Sequence, residues 1–98
     1  MGNIEFAWDR RKARSNLAKH GVSFDEAQTV FLDESARLLD DPDHSENEER
    51  FLLLGYSFQS RCLIVSHCCR QSGSIIRLIS ARRATAPEEA VYWRLNEK

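Results

Sequence analysis

The chain has 98 residues and a mass of 11.3 kDa, which leaves room for one hydrophobic core, so we predict a single domain over residues 1–98. Its hydrophobic residues, 42% of the total, are enough for a small core and exclude a wholly disordered protein. The formal charge of −1 excludes a simple basic nucleic-acid coat protein, but the charge is unevenly distributed. Residues 1–24 carry a net +3, residues 25–50 a net −8 and residues 51–98 a net +4.

Hydrophobic periodicity and capping signals predict the secondary structure. Asp9 is suited to begin a helix and Gly21 to follow its end, while segments 23–26 and 85–88 each match a capping box. The predicted elements are a strand over 4–8, helices over 9–19 and 23–32, strands over 36–40, 50–58, 61–70 and 74–82, and a terminal helix from 85. The order β-α-α-β-β-β-β-α predicts an α+β fold with a small twisted, mainly antiparallel sheet packed by helices. The apolar residues expected on the inner faces of the helices are Ala13, Leu17, Phe24, Ala27, Val30, Phe31, Val91, Tyr92 and Leu95.

The cysteines and the N-terminus predict where the protein acts. Cys62, Cys68 and Cys69 lie in one apolar strand-like run, which is typical of reduced thiols rather than of a disulfide framework. The first residues do not combine a basic segment with an apolar one, and no apolar run approaches the roughly 18 residues that span a bilayer. We therefore expect a cytoplasmic protein without a membrane partner.

Three blocks of the sequence, in this order, resemble the BrnT family of toxins. The first block consists of Trp8-Asp9, Lys12-Ala13, Asn16-Leu17 and residues 19–24. The second block consists of residues 41–46 and Glu49-Arg50-Phe51. The third block consists of residues 79–85 and Glu88. The resemblance implies a RelE-like fold and a type II toxin that cleaves RNA and inhibits translation. It also implies a BrnA-like antitoxin that neutralises the toxin, an expected heterotetramer, and contact with operator DNA only through the antitoxin.

Metal-independent cleavage of RNA by 2′-hydroxyl attack needs few kinds of side chain. An arginine neutralises the pentacoordinate phosphate because its guanidinium fork matches phosphate oxygens and stays charged. A histidine suits proton transfer because its reference pKa is about 6.5. The candidate catalytic residues are His67, Arg70, Arg77, Arg82, Arg83 and Tyr92, and we predict no metal or other cofactor.

Strand alternation predicts how these candidates meet. Side chains two residues apart share a face, so His67 lies with residues 61, 63, 65 and 69, and Arg77 lies with Arg83. We therefore expect His67 and at least two arginines on one surface, although the strand register is open. His67 as a core-edge residue and Tyr92 as a core aromatic are the structural alternatives, and acids of the middle segment are candidate partners of Arg82 or Arg83.

Lys12 and Lys19 lie seven residues apart on one face of the first predicted helix. They are candidate RNA-binding residues that hold flanking phosphates, or else part of a solvated cationic face.

Two other functions remain open from the sequence. Asp41, Asp43 and His44 resemble a metal site, but their spacing is not that of an EF-hand, and a turn explains the same residues. Cys68-Cys69 stands where the family is expected to carry a polar or acidic residue. This departure leaves a non-catalytic module, acting only through an antitoxin and operator DNA, as the alternative function.

Overall fold

A computed structural model describes residues 4–41, 50–70 and 73–97 of the chain. Its elements are β1 (Glu5–Ala7), α1 (Arg10–His20), α2 (Phe24–Thr29), a 3-10 turn (Val30–Leu32), β2 (Arg37–Asp40), β3 (Arg50–Tyr56), β4 (Cys62–Arg70), β5 (Ile75–Arg83) and α3 (Ala86–Leu95). The predicted α+β class and element order are confirmed. In the described ranges, no helix is both long and apolar enough to cross a membrane.

The five strands form one sheet in the order β1-β5-β4-β3-β2. β2, β3, β4 and β5 pair antiparallel in sequence order, and β1 adds to the outer edge of β5 in parallel. The parallel strand is possible because α1, α2 and the strands that follow return the chain across the sheet before β5 begins. The sheet is therefore mainly antiparallel.

The helices begin and end at the predicted signals. The Asp9 carboxylate accepts bonds from the amides of residues 11 and 12, and Gly21 lies at φ 70° after α1, a left-handed conformation that favours glycine. Thr85 and Glu88 form a complete capping box. Segment 23–26 departs from this pattern: Ser23 accepts from the Glu26 amide, but the Glu26 carboxylate bonds elsewhere, so only half of the predicted box forms.

Helices pack on both sides of the sheet and divide the core in two. α1, α2 and the 3-10 turn cover one side with Val22, Phe24, Ala27 and Val30 against Leu53, Leu63, Val65, Ile76, Leu78 and Ala81. α3 covers part of the other side, where Tyr92 packs on Leu54, Cys62 and Ile64. Two predicted inner residues are wrong: Leu17 is 51% exposed and Leu95 is 46% exposed.

A one-residue irregularity in β5 changes which side chains share a side of the sheet. Ser66 of β4 pairs with Ser80, but the next residue, His67, pairs with Leu78. Ile79 is therefore an extra residue in β5, which is the arrangement of a β-bulge. The bulge inserts one residue into β5 relative to β4. The alternation of side chains between the two sides of the sheet is therefore reversed in β5 on passing Ile79.

Candidate functional site

The α3 side of the sheet carries a row of two arginines around a buried thiol. Arg50, Cys68 and Arg77 pair directly across β3, β4 and β5 and therefore point to the same side. Neighbouring strands are about 4.8 Å apart, which separates the Cα atoms of the two arginines by about 10 Å. Cys68 is 1% exposed. The buried thiol thus lies between the two arginines on this side of the sheet.

Two hydroxyl groups and a further arginine continue this surface toward α3. Ser66 and Ser80 pair in the next row, and Arg82 pairs with Ile64 in the row beyond it. Both serines are half-buried. Ile64 lies beneath α3. Its partner Arg82 therefore lies at the border between the part of the sheet that α3 covers and the part that α3 leaves uncovered.

Arg70, at the end of β4, also points to this side because it follows Cys68 by two residues. We call the surface formed by Arg50, Arg70, Arg77, Arg82, Ser66 and Ser80 the arginine face.

Arg77 is a cation of this face that is available to a ligand. It is half-buried between Ile76 and Leu78 in an apolar strand. Among residues 4–41, 50–70 and 73–97, no side chain or carbonyl forms a hydrogen bond or ion pair with its guanidinium. A partly buried cation without a counter-charge attracts anions more strongly than a fully solvated one does.

Arg82 has a carboxylate partner, and that partner is on α3. Its Nη1 and Nη2 atoms donate to Oε1 and Oε2 of Glu88 at 2.8 and 2.9 Å. The hydrogen bond from Arg82, reinforced by the Thr85 amide, lowers the pKa of Glu88 to about 2. The expectation that acids of the middle segment pair with Arg82 or Arg83 is not met at Arg82, where the capping glutamate of α3 is the partner. Among the described acids of that segment, Glu26 lies near Arg83.

His67 does not lie on the side of Arg70, Arg77 and Arg82, so the prediction that His67 and Arg77 share one surface is wrong. It is 2% exposed on the side of α1 and α2, and its ring lies edge-on to Phe31 with centroids 4.9 Å apart. Its Nδ1 is 3.2 Å from the carbonyl oxygen of Val65, and burial lowers the pKa of the imidazole. The bulge accounts for the difference, because it moves Arg77 to the opposite side of the sheet from His67.

Arg83 also points away from the arginine face. It pairs with Leu63 on the α1 and α2 side, again contrary to the predicted sharing of a face with Arg77. There it lies near Glu26, whose pKa is lowered chiefly by its hydrogen bond from Arg61 and to a lesser degree by the Arg83 charge. Arg83 thus faces a buried carboxylate rather than the site.

Tyr92 has the structural role that was the alternative to catalysis. Its ring is 5% exposed and lies edge-on to Tyr56, with centroids 5.1 Å apart. Its hydroxyl donates to Oδ2 of Asp33 at 2.9 Å. Burial and that hydrogen bond raise the pKa of Tyr92 to about 12, so the phenol stays protonated near neutral pH.

The two candidate lysines lie on the exposed surface of α1 beside the bulge. Lys12 and Lys19 line a groove with Ser80, together with Ser15, Asn16, His20 and Ile79. Ser80 also belongs to the arginine face, whereas none of the described arginines of that face lines the groove. The two lysines therefore lie on the α1 side of the sheet, and Ser80 is the residue that the groove shares with the arginine face.

Sequence reasoning missed four residues of this site: Arg50, Ser66, Ser80 and Glu88. The first three are brought together by strand register, which local sequence does not report. Glu88 had a signal, because it lies at position N3 of a capping box that begins two residues after Arg83.

The metal alternative falls mainly on residues outside the described ranges. Asp43 and His44 are not described, whereas Asp41 is 8% exposed at the end of β2. Within the described ranges, His, Cys, Asp and Glu side chains form no group of three that is arranged to hold a metal ion.

Comparison with known proteins gives a family and a similar solved structure. The family model described as "Ribonuclease toxin, BrnT, of type II toxin-antitoxin system" matches residues 8–88. The fold is similar to the 1.1 Å crystal structure of the Brucella abortus ribonuclease toxin BrnT, with a TM-score of 0.64 over 85% of this chain and 99% of that chain. The two sequences are 22% identical, so this likeness concerns the fold alone. No curated protein matches the sequence.

Proposed function

The chain belongs to the BrnT family of ribonuclease toxins of type II toxin–antitoxin systems, and we propose that its arginine face binds and cleaves RNA in the cytoplasm without a metal ion. The observation that carries this proposal is the common side of Arg77 and Arg82, which the bulge at Ile79 creates. Two hydroxyl groups, those of Ser66 and Ser80, lie between the arginines.

In the proposed reaction the 2′-oxygen of the RNA attacks the adjacent phosphorus and its proton passes to water. The bond from phosphorus to the 5′-oxygen breaks and that oxygen takes a proton from water, which leaves a 2′,3′-cyclic phosphate and a 5′-hydroxyl end. The arginines act on the pentacoordinate phosphate, whose extra negative charge they stabilise as it develops. Arg77 is suited to the scissile phosphate because its charge is uncompensated among the described residues, and Arg70 and Arg82 are suited to the phosphates beside it. Ser66 and Ser80 supply hydroxyl hydrogen bonds to the same phosphates or to ribose.

The surroundings of the face suggest how RNA reaches it and how it is blocked. Lys12 and Lys19 hold flanking phosphates along the groove that leads to Ser80. The second proposed partner is a BrnA-like antitoxin that covers the arginine face in a heterotetramer. That antitoxin, rather than this chain, contacts operator DNA.

Arginine substitutions on opposite sides of one strand test the proposal. We expect Arg77→Ala to lower kcat/KM for RNA by about 10²–10³, the usual cost of removing a group that stabilises transition-state charge. Arg83→Ala removes the same charge from the same strand on the other side of the sheet, and we expect a loss of less than about tenfold. Equal losses for the two variants would refute the assignment of the site to the arginine face.

Chelation and induction in cells separate the remaining functions. Cleavage that continues in EDTA supports the metal-independent reaction, whereas cleavage abolished by EDTA overturns it. Induction of the chain alone is expected to arrest growth with loss of RNA, and Arg77→Ala is expected to relieve the arrest. Absence of arrest with the wild-type chain would favour the non-catalytic antitoxin-binding function.

A further inference from the structure

The hydrogen bonds of Arg82 leave one edge of its guanidinium group open. A guanidinium has five N–H donors. The bonds to Glu88 use one hydrogen on each terminal nitrogen, and the second hydrogen of Nη1 points to the carbonyl oxygen of Arg83 at 3.3 Å. The Nε hydrogen and the second Nη2 hydrogen remain, and these two lie side by side on the same edge of the planar group. No described atom accepts from this edge, and the side chain is 41% exposed.

The carboxylate that holds Arg82 is itself fixed by the start of α3. Oε1 of Glu88 accepts from the backbone amide of Thr85 at 2.8 Å, and the Glu88 amide donates to the Thr85 hydroxyl at 3.3 Å. The capping box therefore fixes one oxygen of the carboxylate against the backbone of Thr85. Since the two bonds to Arg82 are parallel, they fix the plane of the guanidinium as well as its position.

We infer that Glu88 is a positioning residue, which holds the guanidinium of Arg82 so that its open edge binds a phosphate group of RNA through two parallel hydrogen bonds. This inference rests on the proposed function, because it places the phosphate on the arginine face. Two parallel N–H donors match two oxygens of a phosphodiester. A pre-oriented guanidinium also loses less side-chain entropy when the phosphate binds.

The direction in which RNA affinity changes when Glu88 is neutralised distinguishes two possible roles for this residue. If Glu88 only competed with RNA for Arg82, removing its charge would strengthen RNA binding, because a negative charge beside the phosphate would be lost. If Glu88 orients Arg82, the same change weakens binding, because the guanidinium is free to rotate. We expect Glu88→Gln to weaken binding of a 2′-O-methyl RNA oligonucleotide about tenfold. This oligonucleotide has no free 2′-hydroxyl and is not cleaved.

Glu89→Gln is the matched control. It makes the same change of charge one residue along α3, and the Glu89 carboxylate bonds the Tyr56 hydroxyl rather than Arg82. We expect this variant to bind the oligonucleotide as the wild type does, or slightly more tightly. All affinities are compared at a temperature at which each variant is more than 95% folded by circular dichroism, which removes loss of the helix cap as a cause of weaker binding.

Salt dependence tests whether Arg82 contacts a phosphate, and NMR provides a measurement that a purely structural role would not move. Glu88→Gln should keep the wild-type slope of log affinity against log salt, whereas Arg82→Ala should reduce the slope by about 0.7, the value for one phosphate contact on a single strand. In the wild-type protein, the Nε–H resonance of Arg82 should shift when the oligonucleotide is added.

The inference is overturned if Glu88→Gln binds the oligonucleotide as tightly as the wild type or as Glu89→Gln, or if the Arg82 Nε–H resonance does not move. A wild-type protein that binds the oligonucleotide with these signatures but does not cleave the corresponding RNA would overturn the proposed activity and leave the role of Glu88 supported.

Discussion

We expect substitution of Asn16 to destabilise the fold more than any other single polar change in α1. Asn16 is 6% exposed, and its side chain replaces a missing strand beside β5. β1 pairs only with Ile75–Arg77, so the outer edge of β5 beyond the bulge has no strand beside it. There the Asn16 amide donates to the Ala81 carbonyl oxygen at 2.8 Å and accepts from the Ala81 amide at 3.0 Å. It also donates to the carbonyl oxygen of Val22 at 2.9 Å.

The magnitude follows from these three hydrogen bonds. Each contributes about 1 kcal/mol, and Asn16→Ala leaves three backbone groups buried without their partner, so we expect a loss of about 3 kcal/mol in the free energy of unfolding. The better helix propensity of alanine offsets about 0.5 kcal/mol of this loss. For a domain of this size, the melting temperature should fall by about 15 °C.

Urea and thermal unfolding followed by circular dichroism measure the effect. Asn16→Asp is the informative companion, since a carboxylate accepts from the Ala81 amide but cannot donate to either carbonyl. We expect it to be at least as destabilising as Asn16→Ala at pH 7. Ser15→Ala is the matched control on the exposed surface of α1 and should change the free energy of unfolding by less than about 0.5 kcal/mol.

A loss below about 1 kcal/mol for Asn16→Ala would refute this reasoning, because it would mean that water or a backbone shift satisfies the edge of β5. Unchanged stability of Asn16→Asp would likewise show that the two donated bonds do not contribute.

Three other substitutions or reactions test separate parts of the fold. Hydrogen bonds from Arg61 lower the pKa of Glu26, so its carboxylate stabilises the fold above its unfolded pKa, and this contribution disappears as pH falls through the folded pKa. The melting temperature of Glu26→Gln should therefore lie below that of the wild type at pH 7, with a gap that narrows toward pH 3; a constant gap would contradict this cause. Gly55→Ala places a Cβ atom 2.8 Å from the Cβ atom of a neighbouring alanine and should cost about 2 kcal/mol in urea unfolding, whereas a neutral result would mean that the contact relaxes. Iodoacetamide at pH 8 should modify exposed Cys69 first and buried Cys62, whose pKa burial raises to about 11, only after unfolding; mass spectrometry of the native protein would contradict this if Cys62 reacted first.

Local signals predicted the helices well because a helix cap depends on residues that are neighbours in sequence. Asp9, Gly21 and Thr85 occupy their predicted cap positions. Glu26 is the exception, since its carboxylate bonds Ser57 and Arg61 at the turn between β3 and β4 instead of its own helix end. Such partners are more than 30 residues away in sequence and only the fold brings them close.

Periodicity predicted which segments are amphipathic but not which side chain points inward. α1 lies along the edge of β5, so the inward position is filled by Asn16, whose amide pairs with the strand, while Leu17 is left half exposed. An edge that lacks hydrogen-bond partners selects a polar residue, and no measure of hydrophobicity reports this preference.

The amino-acid sequence was enough to predict the fold class, the order of the elements and most of the helix caps, and to indicate a family described as ribonuclease toxins. It also contained the arginines of the site, including Arg77 and Arg82. Their spacing of five residues would place them on opposite sides of a regular strand. They share a side because of strand pairing in the folded protein: β5 accommodates Ile79 as an extra residue against β4, and this reverses the alternation of side chains. The same reversal separates His67 and Arg83 from them. Which residues form the arginine face therefore depends on one bulge, and the position of that bulge is set by the register of β5 against β4 rather than by local sequence.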